Sequence, residues 1–583
     1  MASITRPTVP LERAPWSRRA ILAAGLGAGV SALGVPSTVR SAGAGTAAAR
    51  VILALLTVLG QAAVRAASAA GVDMAPLPDR AVVAPVIDCA TLLQRDFSRV
   101  IDGPARVQSA ADEPATAERA EFCLVKGYVA PTIQFELRLP MKSWTGRYLQ
   151  GGCGGNCGVI MSGLAPRCDT AVAYAGAFAV GFENSGHVGG DGVWAMGGQA
   201  AREDFAFRAA HAFAAAAKAV ITAFYGRPPD YSYFQGCSDG GREAMTETQR
   251  YPSDFNGLIA GSPAFAIAEA MERFIWEARW GRDARGALVI DAAAANLLHN
   301  AVLSACDGLD GAMDGQIDDP RLCHFDPLTL VCPPTASART CLTAAQAEAA
   351  RKLYQGPVDE NGRNLFYGGE PYGSELSWVE RYALPVAGGA MFDEAVKNMI
   401  FQGTLDANAS VETWRFDRAT FEALSRRGSL YDARSTDLAA FRDSGGKLIL
   451  WQGFADPAAG GYGLPDYYQR LQQSVGGLEA TRRFARMFLI PGVYHCGGGY
   501  VPYEEDLLGT LVNWVELGRA PDQIMATAVL KDGATRKRPV FAYPVQTRYR
   551  GRGDVNDARN FAGRAPRRAP QDLYDWAGAS DTR

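Results

Sequence analysis

Residues 233–245 read Tyr-Phe-Gln-Gly-Cys-Ser-Asp-Gly-Gly-Arg-Glu-Ala-Met, and the prediction of the fold starts from this stretch. An aromatic run suited to a buried strand leads into Gly-Cys-Ser-Asp-Gly, and a helix-compatible segment follows to about Arg250. This order is typical of a nucleophile elbow, whose tight turn requires glycine two residues before and after the serine. Ser238 would then be exposed above a sheet, with the N–H of Asp239 at a helix N-terminus that stabilises an oxyanion. A glycine-rich surface turn is the alternative, because the chain has 64 glycines.

Strand and helix patterns alternate around the elbow. An Ala-rich helix is predicted at residues 201–225. Strands are predicted at residues 122–129, 133–140, 147–150, 173–182, 255–261, 447–451 and 484–490. The alternation indicates an α/β-hydrolase fold, a mostly parallel sheet flanked by helices.

This rhythm is interrupted after Pro263 and returns near residue 441, which indicates a large inserted lid domain. The chain has 583 residues, more than one ordinary domain. The predicted divisions are residues 1–70 as export signal and leader, 76–262 as the first part of the hydrolase domain, 263–440 as the lid, 441–562 as the second part, and 563–583 as a disordered tail.

The N-terminus has the features of an export signal. Arg18 and Arg19 precede an apolar Ala/Gly/Leu-rich run, and a second apolar segment covers residues 51–60. Both runs are shorter than the roughly 20 residues of a membrane span. The sequence therefore predicts a secreted or periplasmic protein, exported by a twin-arginine-type or Sec-type signal, with no stable membrane partner.

The net charge and the number of cysteines bear on which partners the protein binds and on whether its cysteines form disulfides or hold a metal. The formal net charge is −3, so nothing points to nucleic acid as a partner. Eleven cysteines in an exported chain indicate disulfides rather than a zinc site.

A general base and an acid follow the elbow in the order that a serine hydrolase needs. Asp456 comes after the apolar strand at 447–451, and His495 comes after the strand at 484–490. The chain has only five histidines. His187 also follows a predicted strand, but as a base it would break the order Ser, Asp, His; the others are interpreted as surface or structural residues. The sequence therefore predicts a triad of Ser238, Asp456 and His495.

Cysteine supplies an independent link between the two ends of this triad. Cys237 directly precedes Ser238, and Cys496 directly follows His495. If the serine and the histidine meet, the two cysteines come within disulfide range. We therefore expect a bridge that ties the base to the nucleophile.

Two further loops carry candidate sites. Residues 151–158 read Gly-Gly-Cys-Gly-Gly-Asn-Cys-Gly, which suits a second oxyanion donor or, alternatively, a flexible turn braced by cysteines. Residues 306–320 contain five aspartates among glycines. Crowded carboxylates favour Ca²⁺, although the spacing is not that of an EF-hand and a solvated acidic turn is the alternative.

From Cys89 to Phe561 the chain resembles the tannase/feruloyl esterase family. The resemblance rests on Gly-Cys-Ser-Asp-Gly-Gly-Arg-Glu-Ala at 236–244, residues 255–264, the Asp-rich loop, Gly-Phe-Ala-Asp-Pro at 453–457 and Pro-Gly-Val-Tyr-His-Cys-Gly-Gly-Gly at 491–499. It implies the same triad, a Cys237–Cys496 disulfide, oxyanion donors at the N–H groups of Asp239 and Gly154, and no organic cofactor. It also implies a structural calcium held by the side chains of Asp307, Asp310 and Asp314 and the carbonyls of Ala312 and Gln316.

The cysteines that remain suggest the pairs Cys89–Cys123, Cys306–Cys323 and Cys332–Cys341, and the pairing of Cys153, Cys157 and Cys168 stays open. The chain departs from the family at two places. Phe541 and Gly563 stand where the family often has one more disulfide. Trp451-Gln452-Gly453 stands where Tyr-His-Gly is common, and we expect this change to leave the triad intact but to alter the pocket wall.

The resemblance implies a carboxylic ester hydrolase whose partner is a small aromatic ester, with a galloyl, hydroxycinnamoyl or terephthaloyl acyl group. The lid is rich in aromatic residues that suit such a group, although each of them could equally belong to the lid core. The alternatives are a peptidase or acyltransferase with the same triad, and a non-catalytic extracellular binding protein on a hydrolase scaffold.

Overall fold

The structure, a computed structural model, describes residues 72–116, 119–161, 176–334, 340–383, 390–566 and 572–579. The predicted export signal and Cys168 lie outside these residues. Among the described helices, none is both long enough and apolar enough to cross a membrane.

A nine-stranded sheet forms the centre of the hydrolase domain. The strands of the described residues are β1 (Ala105–Glu113), β2 (Phe122–Val129), β3 (Ile133–Pro140), β4 (Arg147–Gly151), β5 (Phe178–Glu183), β6 (Tyr231–Cys237), β7 (Gly257–Gly261), β8 (Lys447–Gly453), β9 (Ala485–Ile490), β10 (Gln523–Val529), β11 (Thr535–Phe541), β12 (Gln546–Tyr549) and β13 (Phe561–Arg564). The sheet order is β1-β2-β3-β5-β4-β6-β7-β8-β9, and the other four strands form two small hairpin sheets. The six strands β5, β4, β6, β7, β8 and β9 are parallel to one another. The three strands β1, β2 and β3 pair antiparallel with each other, and β3 pairs antiparallel with β5.

Helices cover the sheet and build most of the segment between β7 and β8. The α-helices of the described residues are α1 (Gln199–Glu203), α2 (Ala209–Tyr225), α3 (Asp239–Arg250), α4 (Ile267–Gly281), α5 (Ala292–Cys306), α6 (Ala344–Gln355), α7 (Glu375–Ala383), α8 (Arg418–Gly428), α9 (Ala439–Asp443), α10 (Gly463–Val475), α11 (Leu478–Arg482) and α12 (Leu507–Leu517). The predicted helix at 201–225 is divided, because a π-helical turn at Asp204–Arg208 separates α1 from α2.

The parallel strands bury side chains on both faces. In β8, Leu448 and Leu450 pack into one apolar core with α2, while Ile449 and Trp451 pack into a second core with α12. Successive side chains of a strand point to opposite faces, so a strand between two helical layers is apolar throughout. The α/β-hydrolase prediction is confirmed.

The inserted segment between β7 and β8 is mainly helical and has its own apolar clusters. Several aromatic side chains of the insert, which the sequence offered as candidates for the acyl pocket, are buried. Trp378, Phe392 and Phe401 lie in these clusters, and Trp276 is buried with its ring against that of Phe416. Their burial shows that they belong to the packing of the insert.

The C-terminal segment is not disordered throughout, and the expectation is wrong for residues 572–579. Trp576 is completely buried, and its ring packs against those of Tyr367 and Phe421. The backbone N–H of Ala577 donates to the carbonyl of Asn364 in the insert. An indole buries more apolar area than most side chains, and hydrogen bonds from the N–H groups of Asp572 to Gln469 and of Tyr574 to Asp466 also hold the segment.

Phe541 and Gly563 are in contact. A Cβ added to Gly563 would lie 2.8 Å from the ring of Phe541. The two positions at which the family often has a disulfide are therefore filled by one aromatic ring packed on a glycine.

Candidate active site

Ser238 lies in a strained turn between β6 and α3. Its φ angle is 64°, in the left-handed region that side chains other than glycine rarely adopt. A Cβ on Gly236 would lie 2.3 Å from the carbonyl oxygen of Gly240, and one on Gly240 would lie 2.7 Å from that of Cys153. The two glycines of the Gly-X-Ser-X-Gly pattern are therefore required by sterics, and the turn presents a partly exposed serine.

The structure brings the three predicted triad residues together. The Oγ of Ser238 lies 2.8 Å from Nε2 of His495, and Nδ1 of the same ring lies 2.9 Å from Oδ2 of Asp456. Asp456 is completely buried, whereas about a quarter of the His495 side chain is exposed, at 27%. This is the geometry in which an imidazole can accept the serine proton while a carboxylate fixes its tautomer.

Asp456 is held as a carboxylate. Burial alone would raise the pKa of Asp456, but His495 and the backbone N–H groups of Ala458 and Ala459 outweigh burial and lower the pKa to about 2. The two N–H groups donate to Oδ1 at 2.7 and 3.1 Å. The acid therefore stays charged at neutral pH.

Trp451 and Gln452 are both buried, each with 1% exposed, so neither forms a pocket wall and that expectation is wrong. The Nε2 of Gln452 donates to Oδ2 of Asp456 at 2.7 Å. Sequence reasoning missed this contact, although the departure from the family at this position drew attention to it.

A disulfide joins Cys237 to Cys496, as predicted from their positions beside Ser238 and His495. The other three predicted disulfides are also present: Cys89–Cys123, Cys306–Cys323 and Cys332–Cys341. Of the cysteines left open, Cys153 and Cys157 form a fifth disulfide within the glycine-rich loop at 151–158.

The glycine-rich loop is anchored to α3, the helix that follows Ser238. The N–H of Gly240 donates to the carbonyl of Cys153, and the N–H of Cys153 donates to Oε2 of Glu243, each at 3.0 Å. Gly152 approaches so closely that an added Cβ would lie 2.7 Å from the Cα of Gly240. These contacts hold the loop, with Gly154 in it, against the N-terminal end of α3, where the first N–H groups of a helix lack intrahelical partners.

His187 supports the same loop and is not placed to act as the base. Its Nε2 lies 2.8 Å from the carbonyl oxygen of Asn156, and its ring stacks on Trp194. Burial lowers the pKa of His187. His299 contacts Glu375, in agreement with its interpretation as a structural residue.

The predicted calcium loop forms a dense acidic cluster. Asp307 accepts hydrogen bonds from the N–H groups of Asp314, Gly315 and Gln316. In this loop, three buried carboxylate oxygens have no hydrogen-bond partner among the described residues; they belong to Asp310, Asp314 and Asp318.

Arginine neutralises part of this cluster. Arg538 of β11 lies among Asp310, Asp314 and Asp318, and Arg536 also contacts Asp314. Burial, followed by the neighbouring aspartates, raises the pKa of Asp310 to about 8. With Asp307, the cluster contains four carboxylates and two guanidinium groups.

This donor set fits a hard divalent cation, which prefers oxygen ligands and balances the excess negative charge. The carbonyls of Ala312 and Gln316 belong to buried residues of the same loop. Asp318, which the sequence prediction did not include, is as close to Arg538 as Asp310 is. The N–H of Ile317, in the same loop, donates to Oη of Tyr500, which lies in the segment that follows His495.

Fold and site together define a hydrolase of the α/β class. The family model "Tannase and feruloyl esterase" matches residues 118–563. The mono(2-hydroxyethyl) terephthalate hydrolase of Piscinibacter sakaiensis is 34% identical, over 78% of this chain and 87% of that protein. A probable feruloyl esterase B-2 of Aspergillus terreus is 30% identical, over 79% of this chain and 90% of that protein.

A solved structure agrees with these relatives. The crystal structure of feruloyl esterase B from Aspergillus oryzae superimposes with a TM-score of 0.70 at 26% identity, over 82% of this chain and all of that one. The chain belongs to the tannase and feruloyl esterase family and is a carboxylic ester hydrolase.

Proposed function

We propose that this protein is an exported serine esterase that cleaves esters of aromatic acids through an acyl-enzyme on Ser238. The observation that carries the proposal is the unbroken hydrogen-bonded series from Ser238 through His495 to Asp456. A serine hydroxyl is a weak nucleophile unless an adjacent base accepts its proton as it attacks.

The proposed reaction has two halves. The Oγ of Ser238 attacks the ester carbonyl while its proton moves to Nε2 of His495, and the N–H groups of Asp239 and Gly154 stabilise the oxyanion. Collapse breaks the bond to the alcohol, which leaves with the proton from His495. Water then attacks the acyl-enzyme, His495 accepts a proton from it, and the acid departs as Ser238 regains its hydrogen.

Asp456 acts through His495. Because its Oδ2 accepts from Nδ1, it holds the tautomer in which Nε2 faces the serine, and it stabilises the imidazolium that forms. The low pKa of Asp456 keeps the carboxylate charged during both halves of the reaction.

The aromatic acyl group is proposed from the relatives, which are named for terephthalate and feruloyl esters. Export is proposed from the arginine-led apolar runs of the N-terminus together with the disulfides, which persist in oxidising compartments.

We also propose a structural calcium ion in the acidic loop. Asp307, Asp310 and Asp314, with the carbonyls of Ala312 and Gln316, would hold it, and the oxygens of Asp310 and Asp314 that accept no hydrogen bond from the described residues support this assignment. The ion would fasten the insert to the segment after His495, because the loop already contacts Tyr500 and Arg536. It takes no part in the chemistry.

The proposal is tested with methyl gallate, methyl ferulate and mono(2-hydroxyethyl) terephthalate, each offered to the wild-type protein and to Ser238→Ala. We expect turnover of at least one ester by the wild-type protein and its loss in the variant. An active-serine phosphonate should label Ser238 alone. Equal hydrolysis by both proteins, or inertness of the wild-type protein to all three esters and to the phosphonate, would contradict the proposal.

A further inference from the structure

Gln452 lies beside the triad and donates a hydrogen bond to its acid. It is the penultimate residue of β8, and Asp456 follows four residues later in the loop that leaves the strand. Its amide Nε2 lies 2.7 Å from Oδ2 of Asp456, the oxygen that also accepts from Nδ1 of His495. One carboxylate oxygen therefore accepts two side-chain hydrogen bonds.

The orientation of this amide follows from charge. If the carbonyl oxygen of the Gln452 side chain faced Asp456, two acceptors would meet in a buried site with no proton between them. The amide nitrogen therefore faces the carboxylate, as a donor to an anion. Such a bond is stronger than one between neutral groups, and its loss leaves a buried charge less well satisfied.

The four donors of Asp456 divide evenly between its two oxygens. Oδ1 accepts from the backbone N–H groups of Ala458 and Ala459, and Oδ2 accepts from Gln452 and His495. The two backbone donors belong to the same loop as Asp456, whereas Gln452 belongs to the rigid sheet. Gln452 is thus the contact that fixes the carboxylate relative to β8.

We infer that Gln452 is a positioning residue for the triad: it holds Oδ2 of Asp456 where it meets Nδ1 of His495. This inference rests on the proposed function. Removal of the amide leaves the plane of the carboxylate to be set by the loop alone, so the imidazole is held less firmly when it receives the serine proton. Substrate binding does not involve this contact, so KM should not change.

The test compares three variants with the wild-type protein. Gln452→Met keeps the length of the side chain and removes the donor; Gln452→His keeps a donor, because Nε2 of histidine and of glutamine have a similar reach from Cα. Gln249→Met is the matched control, since the amide of Gln249 donates to the carbonyl of Ala433 and not to the triad. For each protein, kcat and KM are measured on an ester that the wild-type enzyme hydrolyses, per active site titrated with the phosphonate.

We expect kcat of Gln452→Met to fall about ten- to hundredfold at unchanged KM, the range that follows from the loss of one hydrogen bond to a charged group. Gln452→His should retain kcat within about threefold, and so should the Gln249 control. The inference is overturned if Gln452→Met keeps its kcat, or if Gln452→His loses as much as Gln452→Met.

Misfolding is distinguished by thermal unfolding and by the titrated fraction of active sites. If the phosphonate labels Ser238 in the wild-type protein and Gln452→Met is fully active, only the role of Gln452 is wrong. If the wild-type protein is not labelled and hydrolyses no ester, the proposed function fails, and the inference fails with it.

Discussion

Cys237 and Cys496 are covalently joined, although they lie 259 positions apart in the chain. Each is the direct neighbour of a residue that the proposed mechanism uses, Ser238 on one side and His495 on the other. The loop that carries the base is therefore tied to the elbow that carries the nucleophile. Its glycines at 497–499 would otherwise leave it much conformational freedom.

Removal of this disulfide should lower turnover more than it disturbs the fold. In the double variant Cys237→Ser, Cys496→Ser, we expect kcat to fall at least about tenfold, because the His495 loop then samples more conformations. The measurement is kcat per folded molecule, with folding followed by circular dichroism. The matched control is Cys332→Ser, Cys341→Ser, which opens a disulfide of the insert with a sequence separation of 9. Unchanged kcat in the first variant would show that the bridge does not position the base.

Replacement of Asp456 by asparagine should preserve the fold and abolish most of the activity. Asparagine presents an oxygen or an amide to Nδ1, so the tautomer of His495 is no longer fixed, and in a comparable triad this change lowers kcat by about 10⁴. The measurement is kcat with an ester substrate, and Asp283→Asn, at a partly exposed turn residue of the insert, is the control. A loss of less than about tenfold would contradict the assigned role of Asp456.

The same variant should change the dependence of stability on acid. Because the pKa of Asp456 is lowered to about 2 in the folded protein, its contribution to the free energy of unfolding is present above the ordinary value near 3.8 and is lost as the pH falls through 2. Asp456→Asn lacks this contribution. Urea unfolding between pH 5 and pH 2 should therefore show a shallower loss of stability in the variant than in the wild-type protein.

Glu243 should prove necessary for the glycine-rich loop. It accepts from the N–H of Cys153, so Glu243→Met should lower kcat about tenfold while Glu243→Gln, which keeps an acceptor, should retain most of it. Burial, and then Asp239, raises the pKa of Glu243 to about 7. Its contribution to stability is thus full below the ordinary value of 4.5 and is lost as the pH rises through 7. Unfolding curves should lose part of this pH dependence in Glu243→Gln; equal kcat in the Met and Gln variants would contradict the loop assignment.

Chelation should destabilise the protein if the acidic loop holds calcium. An ion that binds only the folded state stabilises it by mass action, so EGTA should lower the melting temperature and added Ca²⁺ should restore it. Elemental analysis of protein purified without chelator should find about one calcium per chain. Asp310→Asn should weaken the response to EGTA, whereas Asp283→Asn should leave it intact. Metal-free protein with an unchanged melting temperature would contradict the proposal.

The docked C-terminal segment should contribute to stability rather than to chemistry. Trp576→Ala removes a completely buried indole, a change that costs about 3–5 kcal/mol in well-packed cores. We expect a lower melting temperature with kcat unchanged at low temperature. Leu573→Ala, at a side chain that is 40% exposed in the same segment, is the control and should have little effect. A Trp576→Ala variant as stable as the wild-type protein would show that the tail is not held by its tryptophan.

The amino-acid sequence by itself determined the elbow, the order of the triad and the Cys237–Cys496 pair. These features are local: each functional residue stands where a strand ends, and the carboxyl ends of neighbouring parallel strands meet at one edge of a sheet. The disulfide between Cys237 and Cys496 could be predicted from the triad alone, because a triad brings together Ser238 and His495, their direct neighbours in the chain.

Only the tertiary structure decided which side chains support that site. Gln452 lies near the end of a largely apolar strand, Glu243 is one of three acidic residues in its helix, and Arg538 is one of several basic residues in a C-terminal hairpin. Nothing in the local sequence distinguishes these three residues from their neighbours. Their roles depend on which buried group each one faces, and that partner is chosen by packing between segments far apart in the chain. The same is true of Trp576, whose polar surroundings in sequence predicted disorder, while its pocket is formed by residues of the insert.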